Sequence, residues 1–460
     1  MKIIIIGGGP AGYIAAIRAA QLGAEVDLIE KNHLGGTCLN YGCIPTKSLF
    51  YDSSEYINTK KQINQNIFSG NISLNFNEVI KRKDNVVNSL VTGTEKLINS
   101  NKINLIYGNA TFIDNNTVNI NSKDGTTLSL TGDAFIIASG SKVFMPPIDG
   151  IDSEGLLTSK EILSLSDLPK SLTVIGGGVI GLEFASIFCS FGVDVKLVEL
   201  NKCLSNTDSE TTKRLTSMLK KQGLKIYQKY KTNKIEKNTQ TYSISIENKK
   251  ESIVLESEKV LIAAGRIPDF NDLHLENTSI EYDKKILTNS NYQTNISNIY
   301  AVGDVNGECL LAHAASHQAI SAVEHLLLNK KVSKTYVPSC IFTNPEYCSV
   351  GQTEDYLKEN KISYIKSKFP FTANGKALTM NSTDGYIKIL SSEKGELLGV
   401  HILGPHASDL IHEATLAISN NLSIESIIST IHAHPTLSEA FHEAALDSIG
   451  TSLHLVPQKK

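Results

Sequence analysis

An internal repeat restricts the possible folds of this 460-residue chain more than any other feature of its sequence. Five residues of a first copy recur 169 positions later in a second copy. The pairs are Gly7 and Gly176, Gly9 and Gly178, Gly12 and Gly181, Gly23 and Gly192, and Glu30 and Glu199. Because the register is kept from the first glycine to the glutamate, the repeat covers a whole supersecondary unit and not only a glycine turn.

The hydrophobic pattern within each copy predicts a strand, a helix and a second strand. In the first copy, apolar runs at residues 2–6 and 25–29 flank an alanine-rich helix at 11–22. The second copy keeps this order at residues 172–175, 179–191 and 193–198. Parallel strands joined by a right-handed crossover helix form half of a doubly wound sheet. The chain is therefore predicted to hold two Rossmann-like dinucleotide-binding units, which further strands at 134–141 and 259–266 complete.

The pattern changes after residue 335. Strands at 386–389 and 397–403 are followed by helices at 408–419 and 438–449, an order typical of a separate α+β domain. The predicted class is α/β with a C-terminal α+β domain. We expect four segments, namely the first unit (1–142), the second unit (143–270), a return to the first unit (271–335) and the C-terminal domain (336–460).

The charge balance argues against polyanionic partners. A formal net charge of −3 gives no field that would attract nucleic acid or an acidic membrane surface. No apolar stretch approaches the roughly 20 residues that a membrane span needs, and the run at 3–6 stops at glycines before it could form a signal peptide. We expect a cytoplasmic protein without nucleic-acid or membrane partners.

Seven unevenly spaced cysteines do not form a disulfide scaffold. The chain contains no Cys-x-x-Cys pair and no His/Cys cluster with zinc-ligand spacing, so no metal site is predicted. A close cysteine pair in a reducing compartment suggests redox chemistry instead. The other five cysteines are expected to be small buried apolar residues, namely Cys189, Cys203, Cys309, Cys340 and Cys348.

The repeated glycines and glutamates indicate nucleotide binding. Glycines let the backbone approach a diphosphate, the helix N-terminus offers N–H groups, and an acid at the end of the second strand binds ribose hydroxyls. Glu30 and Glu199 have that position. A carboxylate at Glu199 repels the 2′-phosphate of NADP, and no arginine lies in residues 192–213 to bind one, so NAD is favoured.

Residues 35–47, GGTCLNYGCIPTK, give the most specific signal in the chain. Cys38 and Cys43, five positions apart at the start of a predicted helix, can close a short strained disulfide that is easily reduced. A helix N-terminus would lower a thiolate pKa there. The alternative of two unrelated buried cysteines fits poorly with the flanking glycines and proline. Lys47 would share a helix face with Cys43, although a surface lysine is the alternative.

These motifs resemble those of the flavin-disulfide reductases, and the resemblance extends over essentially the whole chain. It implies that the first copy of the repeat holds FAD, that the second holds NAD, and that residues 336–460 form a dimerisation domain. Residues 294–305, TNISNIYAVGDV, resemble the second flavin motif of this family, with Asp304 at the ribityl chain. The implied FAD residues are Gly7, Gly9, Gly12, Glu30, Lys31, Gly36, Thr37, Cys38, Lys47, Ala110, Ser139, Gly140, Ser141, Asp304, Leu310, Leu311, Ala312 and His313. The implied NAD residues are Gly176, Gly178, Gly181, Glu183, Glu199 and Gly265.

Residues 432–439, HAHPTLSE, resemble the dihydrolipoyl dehydrogenase branch of that family. The resemblance makes His434 the acid–base group for a dithiol and Glu439 the residue that orients it, with His432 in a supporting role. A carboxylate on one ring nitrogen fixes the tautomer and raises the basicity of the other nitrogen. Without the family, a His-Pro loop before an acid is more often a helix start.

The implied activity is oxidation of protein-bound dihydrolipoamide by NAD⁺ through a Cys38–Cys43 disulfide and FAD, with Lys47 and Glu183 as an ion pair near the flavin. His434 would come from the other subunit of a homodimer. The implied partner is the lipoyl domain of a 2-oxo acid dehydrogenase, acetoin dehydrogenase or glycine cleavage complex. Two alternatives are a glutathione-reductase-like enzyme that uses NADPH and a mainly structural flavoprotein subunit.

Overall fold

The computed structural model describes residues 1–333 and 335–456. Its N-terminal part begins with the predicted strand, helix and strand, continues into a long helical pair, and returns through short strands. The elements are β1 (Lys2–Ile6), α1 (Pro10–Gln21), β2 (Glu25–Glu30), α2 (Gly36–Tyr41), α3 (Cys43–Asn64), α4 (Phe76–Ser100), β3 (Asn104–Tyr107), β4 (Asn109–Asp114), β5 (Thr117–Asn121), β6 (Thr127–Thr131), β7 (Ala134–Ile137) and β8 (Ser141–Val143).

The second copy of the repeat follows the same path. Its elements are β9 (Ser171–Ile175), α5 (Val179–Ser190), β10 (Asp194–Glu199), α6 (Ser209–Lys221), β11 (Lys225–Gln228), β12 (Lys231–Lys237), β13 (Tyr242–Glu247), β14 (Ser252–Ser257), β15 (Lys259–Ile262) and β16 (Arg266–Pro268). Strand β17 (Ile299–Ala301) and helix α7 (Ala312–Leu328) come next.

The C-terminal part is built on antiparallel strands. It contains β18 (Ser339–Ile341), β19 (Glu346–Gly351), α8 (Glu354–Glu359), β20 (Ile365–Pro370), α9 (Gly375–Thr379), β21 (Tyr386–Ser391), β22 (Leu397–Gly404), α10 (Ala407–Ser419), α11 (Ile424–Ile428) and α12 (Glu439–Ser448).

Two parallel sheets carry the repeated units. The first has the strand order β17-β7-β1-β2-β3 and the second the order β11-β10-β9-β15. Residues Ile3 to Ile6 of β1 are buried, as expected for a strand covered on both faces. Strand β17 adds to β7, so the chain returns to the first sheet after the second unit. The predicted α/β class with two Rossmann-like units and a C-terminal α+β domain is confirmed, whereas the four domain limits remain predictions.

Element limits differ from the predicted ones by a few residues at turns. The strands predicted at 134–141 and 259–266 end at Ile137 and Ile262. The small residues that follow them leave the sheet as turns beside the glycine loops. Helix α1 begins one residue early because Pro10 occupies its first turn, where a missing N–H costs nothing.

A buried charge cluster joins the second unit to the C-terminal sheet. Lys388 on β21 has a fully buried side chain. Its Nζ contacts Asp208 at 2.9 Å, Glu354 at 2.6 Å and Glu210 at 3.1 Å. Asp208 also accepts the amide of Thr211 at 3.0 Å and so caps α6. Lys388 therefore links helix α6 of the second unit to the C-terminal sheet.

Among residues 1–333 and 335–456, no helix combines the length and apolar character that crossing a membrane requires.

Candidate active site

Each glycine turn brings a helix N-terminus against the end of a strand. A Cβ at Gly12 would lie 1.7 Å from the carbonyl oxygen of Gly7, and a Cβ at Gly181 would lie 1.9 Å from that of Gly176. Only glycine permits this close packing of helix on strand. Each turn consequently presents backbone N–H groups and the positive end of its own helix to a bound group.

The two repeated glutamates are held in the same way. Glu30 accepts the amides of Gly8 at 2.7 Å and Asn32 at 2.6 Å. Glu199 accepts those of Gly177 at 2.6 Å and Asn201 at 2.7 Å. Each carboxylate is thus fixed beside its glycine turn at the end of its second strand, where ribose hydroxyls would meet it.

One large cavity, of about 1070 Å³, connects both turns. Sixteen of the predicted FAD residues line it, as do Gly176, Gly178, Glu183, Glu199 and Gly265 of the predicted NAD residues. Gly12 and Gly181 lie beneath the turns, and the Nε2 atom of His313 lies 2.8 Å from the carbonyl oxygen of Pro338. The sixteen FAD residues that line the cavity are Gly7, Gly9, Glu30, Lys31, Gly36, Thr37, Cys38, Lys47, Ala110, Ser139, Gly140, Ser141, Asp304, Leu310, Leu311 and Ala312.

The cavity has the form and donor set that two dinucleotides need. It is large, and it is lined by two glycine turns, each with a fixed carboxylate beside it. FAD at the first glycine turn and NAD at the second would fit these residues. Within the described parts of the chain, no group of three His, Cys, Asp or Glu side chains could hold a metal ion.

The cysteine pair spans two helices, although a single helix start was expected. Cys38 lies in α2 and Cys43 is the first residue of α3, with Gly42 between the helices. Both thiols are free in this structure and hydrogen-bond each other. The hydrogen bond from Cys38 and the charge of Lys47 lower the pKa of Cys43 to about 7 despite its burial. The pKa of Cys38 is raised correspondingly, so the reduced pair carries its negative charge on Cys43.

Lys47 and Glu183 form a half-buried ion pair beside Cys43. The Lys47 Nζ atom lies 2.8 and 3.0 Å from the two carboxylate oxygens of Glu183. The amide of Phe342 donates to Glu183 at 3.0 Å, and the Lys47 ammonium sits 4.4 Å from the centre of the Phe342 ring. Phe342 was not foreseen, because nothing in its local sequence indicates that the C-terminal strand region reaches this cavity.

Replacing Lys47 with methionine is expected to move the pKa of Cys43 up from about 7 toward the ordinary thiol value of about 8.5, because the variant removes a nearby positive charge and leaves the Glu183 carboxylate. The pH dependence of Cys43 alkylation in the dithiol-reduced protein measures this. Lys60→Met on the same helix is the control. An unchanged or lower pKa in the Lys47 variant would contradict the assignment.

Sequence reasoning also left out Arg266 as a site residue. Its guanidinium donates to the hydroxyl of Ser141 at 2.8 Å and to the Ser141 carbonyl at 2.6 Å, and the Ser141 hydroxyl donates to Asp304. Burial lowers the pKa of Arg266, and the charge of Asp304 opposes this shift. The available signal was the position of Arg266 directly after the small-residue turn at Gly265.

His434 and Glu439 pair with each other away from the cavity of their own chain. The His434 Nδ1 atom lies 2.8 Å from Glu439, whose other oxygen accepts the amide of Thr436 at 2.8 Å. Burial opposes ionisation of Glu439, but the Thr436 amide and His434 outweigh it and lower the Glu439 pKa. The His434 side chain is 79% exposed, and neither residue is among those that line the cavity. His432 pairs separately with Glu413 at 2.8 Å.

Comparison with known proteins agrees with this geometry. A family model described as pyridine nucleotide-disulphide oxidoreductase matches residues 1–319, and the model of its dimerisation domain matches residues 337–445. The mitochondrial dihydrolipoyl dehydrogenase of Pisum sativum is 38% identical over 98% of this chain and 92% of its own length. A dihydrolipoyl dehydrogenase of Bacillus subtilis is 39% identical over 98% of both proteins.

A solved structure is similar over the same length. The HOCl-induced flavoprotein disulfide reductase RclA from Escherichia coli superposes with a TM-score of 0.87 at 28% identity, covering 97% of this chain and 99% of that chain. The repeated nucleotide units, the paired thiols and these matches agree over nearly the full length of the sequence. This chain belongs to the pyridine nucleotide-disulphide oxidoreductase family.

Proposed function

We propose that this chain is an FAD-dependent dihydrolipoyl dehydrogenase, which oxidises protein-bound dihydrolipoamide to lipoamide and reduces NAD⁺ to NADH. The observation that carries the proposal is the Cys38–Cys43 pair in one cavity with both nucleotide turns and the Lys47–Glu183 ion pair. The relatives named dihydrolipoyl dehydrogenase, 38% and 39% identical over nearly the full length, support it. The first glycine turn and Glu30 would hold FAD, which would supply two-electron transfer between the cysteine pair and NAD⁺.

The dithiol step rests on the two cysteines. With the pair oxidised, a substrate thiolate attacks the Cys38 sulfur, the Cys38–Cys43 bond breaks, and Cys43 leaves as a thiolate. The second substrate thiolate then attacks the substrate sulfur bonded to Cys38, which releases the cyclic disulfide and a Cys38 thiolate. The lowered pKa and the nearby Lys47 ammonium suit Cys43 to the role of leaving group.

His434 removes the proton that each substrate thiol must lose. Glu439 accepts a hydrogen bond from Nδ1 of His434, which leaves Nε2 free to act as the base. This role requires that a substrate bound at Cys38 lie within reach of the imidazole. Because His434 is exposed on its own chain, we place it in the cavity of the partner subunit of a homodimer.

Replacing His434 with glutamine is expected to lower kcat with dihydrolipoamide about 10²- to 10⁴-fold, the usual contribution of a general base. The remaining activity should rise with pH, since hydroxide then replaces the lost base. Steady-state kinetics across pH measures both effects. His274→Gln is a matched control, because His274 is an exposed histidine that also lies 2.8 Å from a glutamate, Glu276. Equal activity in the two variants would contradict the assignment.

Subunit complementation tests the shared site. In a heterodimer of a Cys43→Ser chain and a His434→Gln chain, one site keeps an intact cysteine pair and an intact histidine only if they come from different subunits. Random reassortment of two inactive homodimers is then expected to restore about a quarter of the wild-type activity. If the histidine served its own chain, the mixture would stay inactive.

The reaction itself is tested by anaerobic titration of the FAD-loaded wild-type enzyme. Dihydrolipoamide is expected to alter the flavin spectrum, and NAD⁺ is expected to reverse the change with formation of NADH. If dihydrolipoamide left the flavin spectrum unchanged while NADPH reduced the flavin readily, the glutathione-reductase-like alternative would replace this proposal. If the enzyme turned over neither dihydrolipoamide with NAD⁺ nor a disulfide with NADPH, a mainly structural flavoprotein would be supported.

The physiological substrate would be a lipoyl group on a carrier domain. A 2-oxo acid dehydrogenase, acetoin dehydrogenase or glycine cleavage complex would each present such a domain to the Cys38 end of the cavity. The roles assigned above to the site residues, and the partner domain, belong to this proposal.

A further inference from the structure

A second pair of thiols lies in the C-terminal sheet. Cys340 on β18 is the direct antiparallel partner of Cys348 on β19. Directly opposite residues in an antiparallel pair point to the same face, with Cβ atoms about 4.5–5.5 Å apart. Their Cα spacing, about 4.5 or 5.5 Å by pair type, lies within the range that a disulfide accepts. The sequence indicated no such pair, because seven residues separate these cysteines.

The two thiols have different access to solvent. Cys340 lines the large cavity, as do Lys47 and Glu183. Cys348 is only 1% exposed and belongs to the apolar core of the C-terminal domain, against which Cys340 also packs. A reagent that enters the cavity can therefore reach Cys340, whereas Cys348 lies behind it.

The electrostatic setting distinguishes the two thiols further. A hydrogen bond from the Cys348 thiol lowers the pKa of Cys340 despite its burial, and the charge of Lys47 acts in the same direction. Burial and the same hydrogen bond raise the pKa of Cys348. An accessible thiol of lowered pKa next to a second thiol is the arrangement that oxidation-sensitive cysteines require.

We propose that Cys340 and Cys348 form a second redox-active pair, in which a hydroperoxide entering the cavity oxidises Cys340 and Cys348 then closes a cross-strand disulfide. The Cys340 thiolate attacks one peroxide oxygen, so that an S–O bond forms, the O–O bond breaks and the released oxygen leaves as water or alcohol after taking a proton. The peroxide is reduced by two electrons and Cys340 becomes a sulfenic acid. The Cys348 thiol then attacks that sulfur, forming the S–S bond and releasing water. This pair is independent of the dithiol step at Cys38.

Mass spectrometry of the FAD-loaded protein tests the pair. The sample starts with Cys38–Cys43 as the disulfide and without NAD, and hydrogen peroxide is the probe. Cys340 and Cys348 lie between Lys334 and Lys358, with Glu346 between them, so cleavage at lysine and glutamate separates the two cysteines unless they are cross-linked. Wild-type protein is expected to yield joined fragments that separate on reduction with a dithiol. Cys203, which is 1% exposed, should stay a free thiol and reports that the fold is intact.

Two variants distinguish the roles of the thiols. In Cys348→Ser, Cys340 is expected to proceed to sulfinic acid, because no second thiol traps the sulfenic acid. In Cys340→Ser, Cys348 is expected to remain a thiol, because it has no access to the cavity. The proposal is overturned if wild-type fragments stay separate at a peroxide dose that fully re-forms Cys38–Cys43 in a pre-reduced sample. It is equally overturned if Cys348 of the Cys340→Ser protein oxidises as fast as Cys340 does in the wild type.

Discussion

Cys43→Ser is expected to lower turnover of dihydrolipoamide by at least about 10⁴-fold, the scale on which loss of a group that forms and breaks bonds acts. A serine hydroxyl cannot form the disulfide that the substrate reduces, and it cannot carry the negative charge that the thiol of pKa about 7 accepts. Steady-state production of NADH from dihydrolipoamide and NAD⁺ measures the loss.

The control for this substitution is Cys189→Ser. Cys189 is a half-buried thiol at the end of α5, where it contacts the carbonyl of Gln222 at 3.6 Å, and it does not line the cavity. This variant should retain wild-type turnover. Both variants should bind FAD to the same extent, which the flavin absorbance per protein reports. Turnover in Cys43→Ser within tenfold of the control would rule out the proposed relay.

Lys388→Met is expected to destabilise the fold by about 3–5 kcal/mol, because removing one member of a buried ion cluster leaves uncompensated charge in the interior. Asp208 and Glu354 would lose their central cation. In the intact cluster the Asp208 pKa is lowered to about 2, since the charges of His401 and Lys388 outweigh the effect of burial. Urea unfolding of the FAD-loaded dimer, followed by far-ultraviolet circular dichroism, measures the shift in midpoint.

Lys366→Met is the matched control for the cluster. Lys366 contacts two of the three acids that Lys388 contacts, Glu354 at 3.2 Å and Glu210 at 3.7 Å, but its side chain is 39% exposed. Its loss should cost less than about 1 kcal/mol. The triple variant Lys388→Met, Asp208→Asn, Glu354→Gln should recover part of the stability lost in Lys388→Met, because it also removes the two carboxylate charges that the lysine had neutralised. If Lys388→Met and Lys366→Met destabilised the fold equally, burial of the lysine would not explain the loss of stability.

Local sequence was sufficient where the physical constraint is itself local. Gly12 and Gly181 must be glycine because their Cβ positions are occupied by the carbonyls of Gly7 and Gly176, in each case five residues earlier. The repeat therefore predicted both nucleotide units and the positions of Glu30 and Glu199. The Cys38 and Cys43 thiols meet because only one short turn at Gly42 separates their helices.

Sequence reasoning missed contacts between residues that are far apart in the chain. Arg266 binds Ser141 from 125 positions away, and Phe342 meets Glu183 from 159 positions away. Lys388 meets Asp208 from 180 positions away. No hydrophobic period or motif spacing reports such contacts, because they form only when separate sheets pack together.

By itself, then, the sequence determined the two doubly wound units, their nucleotide classes and the close pairing of Cys38 with Cys43, because each depends on residues within one strand–turn–helix segment. Only the tertiary structure decided that both nucleotide turns open into one cavity, that His434 is exposed and does not line the cavity of its own chain, and that Cys340 lies opposite Cys348. Those outcomes depend on how distant elements pack, and packing is set by the burial and charge pairing of the whole chain.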